Sequence, residues 1–188
     1  MTLLEEFRIC NGGSYQNTKS KVSWKIVGDT MYFQPSSGAE DWWKNITIIP
    51  WLTKIGGKWM LVHLGFHLAW LEVKDIVERA MVKRFSGYSH GGPLAARAAA
   101  HRGLPADVFG CPNFLLCPSD ASRAIFDEVH FYQNPNDIMT RLPSGYTKGR
   151  YWQTLGGRAS MPPGYDPFQW LTGHTPAEYE QRLAAIGE

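Results

Sequence analysis

The run Gly87-Tyr88-Ser89-His90-Gly91 sits between a short apolar segment, RFSGY, and an alanine-rich helix former, GGPLAARAAAHRG. A serine flanked at two-residue spacing by glycines, at a strand-to-helix junction, is the pattern of a nucleophile on a sharp turn. The turn strains the serine backbone and lifts its hydroxyl above the sheet, and the glycines remove the side chains that would clash. The helix that follows turns N–H groups and the positive end of its dipole toward that hydroxyl, which suits a developing oxyanion. The plainer alternative is that Ser89 only caps the helix.

A serine hydroxyl needs a base to take its proton and an acid to orient that base. On a sheet of this kind the chain order is serine, then aspartate or glutamate, then histidine. His63, His67, His90, His101 and His130 come too early, and His174, on a loop behind Gly173, is the one that remains. Asp137, in NPNDIMTRLP just past the segment VHFYQN, is the acid candidate at the end of a late strand, with Asp166 in reserve. Asp107 begins a strand, and Asp120 and Asp127 fall on a helix.

The elements that must carry these residues follow from hydrophobic period and punctuation. VSWKIV and TMYFQP read as two strands around a Gly-Asp turn. ITII (46–49) and KWMLVH (58–63) are further strands. Apolar residues recur at helical spacing over 66–82. RFSGY is a strand, and the helix after it stops at Gly103. ADVFG is a strand, SDASRAIFDE a capped helix, and VHFYQN a strand. Thr175, Pro176 and Glu178 mark the start of a last helix. Alternation of strand and helix from residue 58 onward predicts an α/β fold with a mostly parallel central sheet flanked by helices.

Length and composition limit the rest. The chain has 188 residues, 44% of them hydrophobic and 19% charged, which suits one compact domain with a real core. A net charge of +2 does not point to nucleic acid. Three cysteines, Cys10, Cys111 and Cys117, make neither a disulfide framework nor a zinc site. His63 and His67 have an i,i+4 metal spacing, but no third ligand is evident, so no metal is expected. The start MTLLEEFRIC lacks the basic region of a signal peptide, and no apolar run is long enough to span a bilayer, which predicts a soluble chain made in the cytoplasm, with release by lysis or other routes left open. Eight tryptophans, five of them between Trp42 and Trp70, are either core or the lining of an apolar pocket or interface.

Several separate blocks carry a family resemblance. YFQPSSGAEDWWKNI resembles an FRGT-x-S-x-x-DW-x-x-N block, with Phe33, Ser36, Asp41, Trp42 and Asn45 in register. VHLGFHLAW, GYSHGGPLAARAA, VFGCP, NPNDIMTRLP and GHTPAEYEQRL resemble VHxGFxxAY, GHSLGGALAxLAA, TFGxPR, NxxDIVPRLP and HSMxxYxxxL in the same order. From about Val22 to its end, the chain resembles the class 3 (fungal-type) lipase family of the α/β-hydrolase fold. The whole of 1–188 then reads as one such domain, with 1–21 as an N-terminal extension.

The resemblance implies a serine carboxylic ester hydrolase without a cofactor. Ser89 would be the nucleophile, His174 the base and then acid, and Asp137 the orienter. Ser36 and the backbone N–H of His90 would form the oxyanion hole. Pro35 departs from the family's glycine and removes a donor beside that loop, while Gln34 replaces an arginine and His90 a leucine. The side chain of His90 would either pack over the turn or act on the site. The segment after Ser36, where the family carries a lid, is short. Trp42 and Trp43 are its bulky apolar residues and, with Tyr88, the candidates for a substrate pocket. Within the range of ester or lipid substrates, this points to an esterase acting on soluble or short-acyl esters; the opposing case is that the tryptophans make a transient contact with a lipid interface. Two other readings use the same residues: a phospholipase A or acyltransferase with this triad, and a non-catalytic binding protein that keeps the fold.

Overall fold

The computed structural model describes residues 1–18, 22–34, 49–155 and 173–187. Leu3–Asn11 forms α1, and Thr2 caps it with a reciprocal pair of bonds. The Thr2 hydroxyl accepts from the Glu5 N–H at 3.2 Å, and the Glu5 carboxylate accepts from the Thr2 N–H at 2.8 Å. Within 1–21, the stretch set apart in the sequence as an extension, α1 and a short strand, Gln16–Asn17 (β1), are already built into the fold.

Strands Ser23–Val27 (β2) and Thr30–Gln34 (β3) form the expected antiparallel pair. Pro50–Ile55 (β4) and Lys58–His63 (β5) follow, then the helix Leu64–Arg79 (α2). Arg84–Tyr88 (β6), the helix Gly91–Arg102 (α3) and Ala106–Phe109 (β7) come next, then Leu115–Leu116 (β8). The helix predicted over SDASRAIFDE is one α-helical turn, Asp120–Arg123 (α4), which tightens into a 3-10 turn at Ala124–Phe126 and brings Phe126 into the core. Val129–Gln133 (β9), a 3-10 turn at Ile138–Arg141, Tyr146–Thr147 (β10), Trp152–Thr154 (β11) and the helix Pro176–Ile186 (α5) complete the order.

The central sheet has the order β1-β2-β3-β6-β7-β9-β11. Its pairs from β3 to β11 are parallel and those of β1 and β2 antiparallel, so it is mostly parallel, as expected. The segment KWMLVH, read as the first strand of the alternating series, lies elsewhere. It belongs to a second, antiparallel sheet of order β10-β8-β5-β4. The turn explains this. Gly56 and Gly57 both have positive φ (52° and 79°), the geometry of a two-residue hairpin, so β5 pairs locally with β4. Within the predicted strand ITII, Ile49 is outside any strand, and 46–48 lie outside the described residues.

Strict alternation divides the core in two. Met31, Phe33, Phe85, Val108 and Phe131 point to one face of the sheet and pack against α2 and α3. Tyr32, Tyr88, Phe109 and Tyr132 point to the other, where they meet Phe7 of α1 and Tyr179 and Leu183 of α5. A fully buried phenylalanine such as Phe85 or Phe131 contributes about 2–3 kcal/mol over leaving it in water. Helices on both faces and parallel strands between them direct the carboxyl ends of β6, β7 and β9 to one edge, where an open α/β sheet holds its ligands. Among the described residues no helix is long and apolar enough to cross a membrane.

The opposite edge carries a buried charge cluster. Arg84 bonds Asp107 and lies 3.1 Å from Glu6, whose carboxyl group is only 2% exposed. Burial, and then the charge of Asp107, push the Glu6 pKa up to about 7. An acid with a raised folded pKa contributes stability that is complete below its unfolded value and lost as pH rises through the folded one. Between pH 4.5 and 7 the linked loss is about 3 kcal/mol, at roughly 1.4 kcal/mol per unit. Urea unfolding across that window should show a steeper fall in stability for the wild type than for Glu6→Gln. Equal slopes would refute the assignment.

Candidate active site

Ser89 follows β6 directly and precedes α3. Its φ of +53° lies in the left-handed region that a residue with a Cβ rarely enters. The strain is held from both sides. The N–H of Ser89 donates to the Phe109 carbonyl at 2.9 Å, and the carbonyl of Ser89 accepts from the Gly92 N–H at 2.9 Å. The glycines of the motif have steric roles. A Cβ on Gly91 would run into the Phe33 carbonyl, and one on Gly87 into the carbonyl of Gly91. The first turn of α3 can therefore lie directly against β3 and β6.

His174 enters from the loop before α5, whose N-terminus Thr175 caps. Its Nε2 lies 2.7 Å from Ser89 Oγ, and its Nδ1 lies 2.8 Å from Asp137 Oδ2. A carboxylate only accepts, so the Nδ1 carries the proton and the Nε2 is left to accept from the serine. Asp137 is fully buried, at 0% exposure. Its Oδ2 also accepts from the Tyr179 hydroxyl at 2.7 Å, and its Oδ1 from the Met139 N–H at 2.9 Å. Burial, with Asp137 beside it, holds the Tyr179 pKa well above the usual phenol range, so the phenol remains a donor. The Tyr179 oxygen also accepts from the Asn134 N–H at 3.1 Å, and Asn134 Nδ2 donates to the Gly173 carbonyl at 2.8 Å. The histidine loop and the aspartate loop are thereby tied together.

Three of the sequence candidates, Ser89, Asp137 and His174, are thus brought together on one hydrogen-bonded line. His90 stands at the head of α3, with its ring against Phe66 at 6.1 Å. Burial, followed by the nearby His174 and His63, pushes its pKa down to about 4, so the imidazole is neutral near pH 7. Tyr88, a pocket candidate in the sequence, lies beneath the histidine instead. It is 5% exposed, its ring stacks on His174 at 5.4 Å, and its hydroxyl donates to the His174 carbonyl. Strand alternation directs residue 88 to the α1 and α5 face of the sheet. Ser36, Trp42 and Trp43, together with Pro35 and the reserve acid Asp166, lie outside the described residues.

The paired histidines are occupied elsewhere. His63 precedes α2 and caps it, its Nδ1 accepting from the Gly65 N–H at 3.1 Å, whereas His67 faces Arg97. Among the described residues no three His, Cys, Asp or Glu side chains converge as a metal site would require. Sequence reasoning missed the supporting roles of Tyr88, Asn134, Thr140 and Tyr179. One of them left a signal: Tyr179 stands five residues after His174, at the tyrosine of the HSMxxYxxxL block.

No protein-family model and no curated protein matches the chain. Solved structures do. The triacylglyceride lipase of Rhizomucor miehei is 19% identical, with 87% of this chain and 80% of that one covered and a TM-score of 0.59. A triacylglycerol lipase whose catalytic centre is described as a serine protease triad is 20% identical, with 77% and 66% covered and a TM-score of 0.57. In the propeptide complex of the Rhizomucor miehei lipase, 24% of residues are identical over 71% of this chain and 52% of that one, with a TM-score of 0.52. The chain spans about half to two thirds of the length of these last two. The fold is the α/β-hydrolase fold of the fungal lipases.

Proposed function

We propose that the protein is a serine hydrolase of carboxylic esters, with residues 1–188 acting as one catalytic domain. The observation that carries this reading is the continuous line from Ser89 Oγ through His174 to Asp137, at 2.7 and 2.8 Å, with the serine held at φ +53° on a strand-to-helix turn. Strain of that kind, about 1–3 kcal/mol, persists where the surrounding structure over-determines it, typically at functional sites. Similarity in fold to triacylglycerol lipases supports the same conclusion.

In this reading Ser89 Oγ attacks the ester carbonyl while His174 Nε2 takes its proton. Asp137 keeps the imidazole in the accepting tautomer and stabilises the imidazolium. The oxyanion is met by the backbone N–H of His90 and, from outside the described residues, by that of Ser36. Each such donor contributes about 3–4 kcal/mol to lowering the barrier. The imidazolium gives its proton to the leaving alcohol. Water, deprotonated by His174, then clears the acyl group from Ser89. The substrate is an ester or lipid ester, with Trp42 and Trp43 as candidate contacts for its acyl chain.

The test is labelling with a fluorescent fluorophosphonate. Wild type should label, and Ser89→Ala and His174→Ala, checked for folding, should not. Hydrolysis of p-nitrophenyl esters of increasing chain length, beside micellar phospholipid, then identifies the substrate. Folded wild type that takes no label would overturn the reading in favour of a binding protein.

A further inference from the structure

Lys148 is a buried cation to which the chemistry above gives no task. It is 6% exposed, and among the described residues no carboxylate forms an ion pair with it. Its ammonium group donates to the Thr140 carbonyl at 2.8 Å, the Cys111 carbonyl at 2.9 Å and Gln133 Oε1 at 3.1 Å. An ammonium has three protons, and all three are used. The acceptors belong to three separate segments: the loop after β7, the last residue of β9, and the 3-10 turn after Asp137. Burying a charge without a direct ion pair is costly, whereas an unbranched apolar side chain would fill the same space without that cost.

Thr140 links the clamp to the acid. Its carbonyl accepts from Lys148, and its hydroxyl donates to the carbonyl of Asp137 at 2.8 Å. We infer that Lys148 is a positioning residue for the hydrolytic centre: it fastens the turn of residues 137–141 to the ends of β7 and β9 and so holds the Asp137 carboxylate on His174 Nδ1. This inference rests on the hydrolase reading. The carboxylate bonds that orient the imidazole have little slack, since a displacement of about 1 Å at a reacting centre can cost on the order of 100-fold in rate. The ammonium also adds a positive charge to the surroundings of Asp137, in a buried region where such a charge is poorly screened.

The experiment compares Lys148→Met, of similar length and without donors, in the wild-type and the Asp137→Ala backgrounds, using a soluble p-nitrophenyl ester. In the wild-type background kcat should fall about 10-fold, which corresponds to ~1.4 kcal/mol, with KM unchanged. In the Asp137→Ala background the same substitution should change kcat by less than about 2-fold, because the residue through which Lys148 acts is gone. Equal losses in both backgrounds, a change confined to KM, or full activity in the folded variant would overturn the inference. If Lys148→Met does not fold, Thr140→Val decides in the same two backgrounds. It removes the hydroxyl that bonds Asp137 and keeps the shape, and unchanged kcat would overturn the inference. If wild type hydrolyses no ester, the hydrolase reading fails on its own. The Lys148 inference is then decided by the His174 Nδ1 proton in NMR spectra, which should shift or broaden in Lys148→Met. An unmoved resonance would sink it.

Discussion

Replacing Ser89 by glycine should abolish ester hydrolysis and make the protein more stable. Loss of the nucleophile is expected to lower kcat by on the order of 10⁵–10⁶-fold, as when a member of a hydrolytic triad is removed. The gain in stability has a different origin. At φ +53° the Cβ of residue 89 is strained, and glycine adopts that conformation at little cost. Release of the strain, less the extra entropy that glycine loses on folding, should amount to about 1 kcal/mol. Ser89→Ala is the control, because it removes the hydroxyl and keeps the Cβ. Both variants should be inactive, and only the glycine variant should unfold at higher urea concentration than wild type. The two substitutions separate chemistry from conformation at one position. If the glycine variant were no more stable than the alanine variant, the turn would hold no strain, and one of the two arguments for Ser89 as nucleophile would be lost.

The candidate triad was legible because each member obeys a constraint visible along the chain. Ser89 has a local motif at a change of period. His174 is the histidine left once chain order is imposed, and Asp137 follows the right strand. The residues that hold them in place were not legible in this way. Tyr88 reaches His174 across 86 positions, and Lys148 reaches Cys111 across 37. Neither spacing has a period or a motif, because the contacts exist only after the sheet has formed. Tyr179 is the intermediate case: its place in a sequence block was visible, but its bond to Asp137 was not.

The fold divides along similar lines. Strands buried on both faces, such as β6 and β7, announce themselves as apolar runs, and their order follows from the helices between them. The hairpin β4–β5 did not, because Pro50 and Lys54 weaken the strand signal of PWLTKI. Proline is acceptable at the first residue of an edge strand, where its missing N–H disturbs no ladder, and β4 is at the edge of the second sheet. Helix α1 was not assigned from the sequence, although Thr2, followed three residues later by Glu5, marks its start. Its nine residues are few for a helix without tertiary support, and that support comes from Phe7 packing on Tyr88, Phe109 and Tyr179.

Asp137→Asn should fold and lose on the order of 10³–10⁴-fold in kcat, and the geometry says by which route. Of the two carboxylate oxygens, Oδ1 accepts from the Met139 N–H, a fixed backbone donor. An asparagine must present its carbonyl oxygen there, since its NH₂ cannot accept. The NH₂ then occupies the place of Oδ2, facing the Tyr179 hydroxyl and His174 Nδ1. The phenol oxygen, which already accepts from the Asn134 N–H, can accept from the NH₂ as well, but its own proton then loses its acceptor, which costs stability of about 1–3 kcal/mol. The imidazole adapts only by giving up its Nδ1 proton and carrying it on Nε2. That tautomer donates toward Ser89 Oγ, so it cannot remove the serine proton. The variant should therefore bind substrate with KM near that of wild type while kcat collapses, and ¹⁵N spectra of His174 should show the proton moved from Nδ1 to Nε2. Wild-type kcat in Asp137→Asn, or loss of activity with the Nδ1 proton still in place, would remove Asp137 from the role of orienting acid.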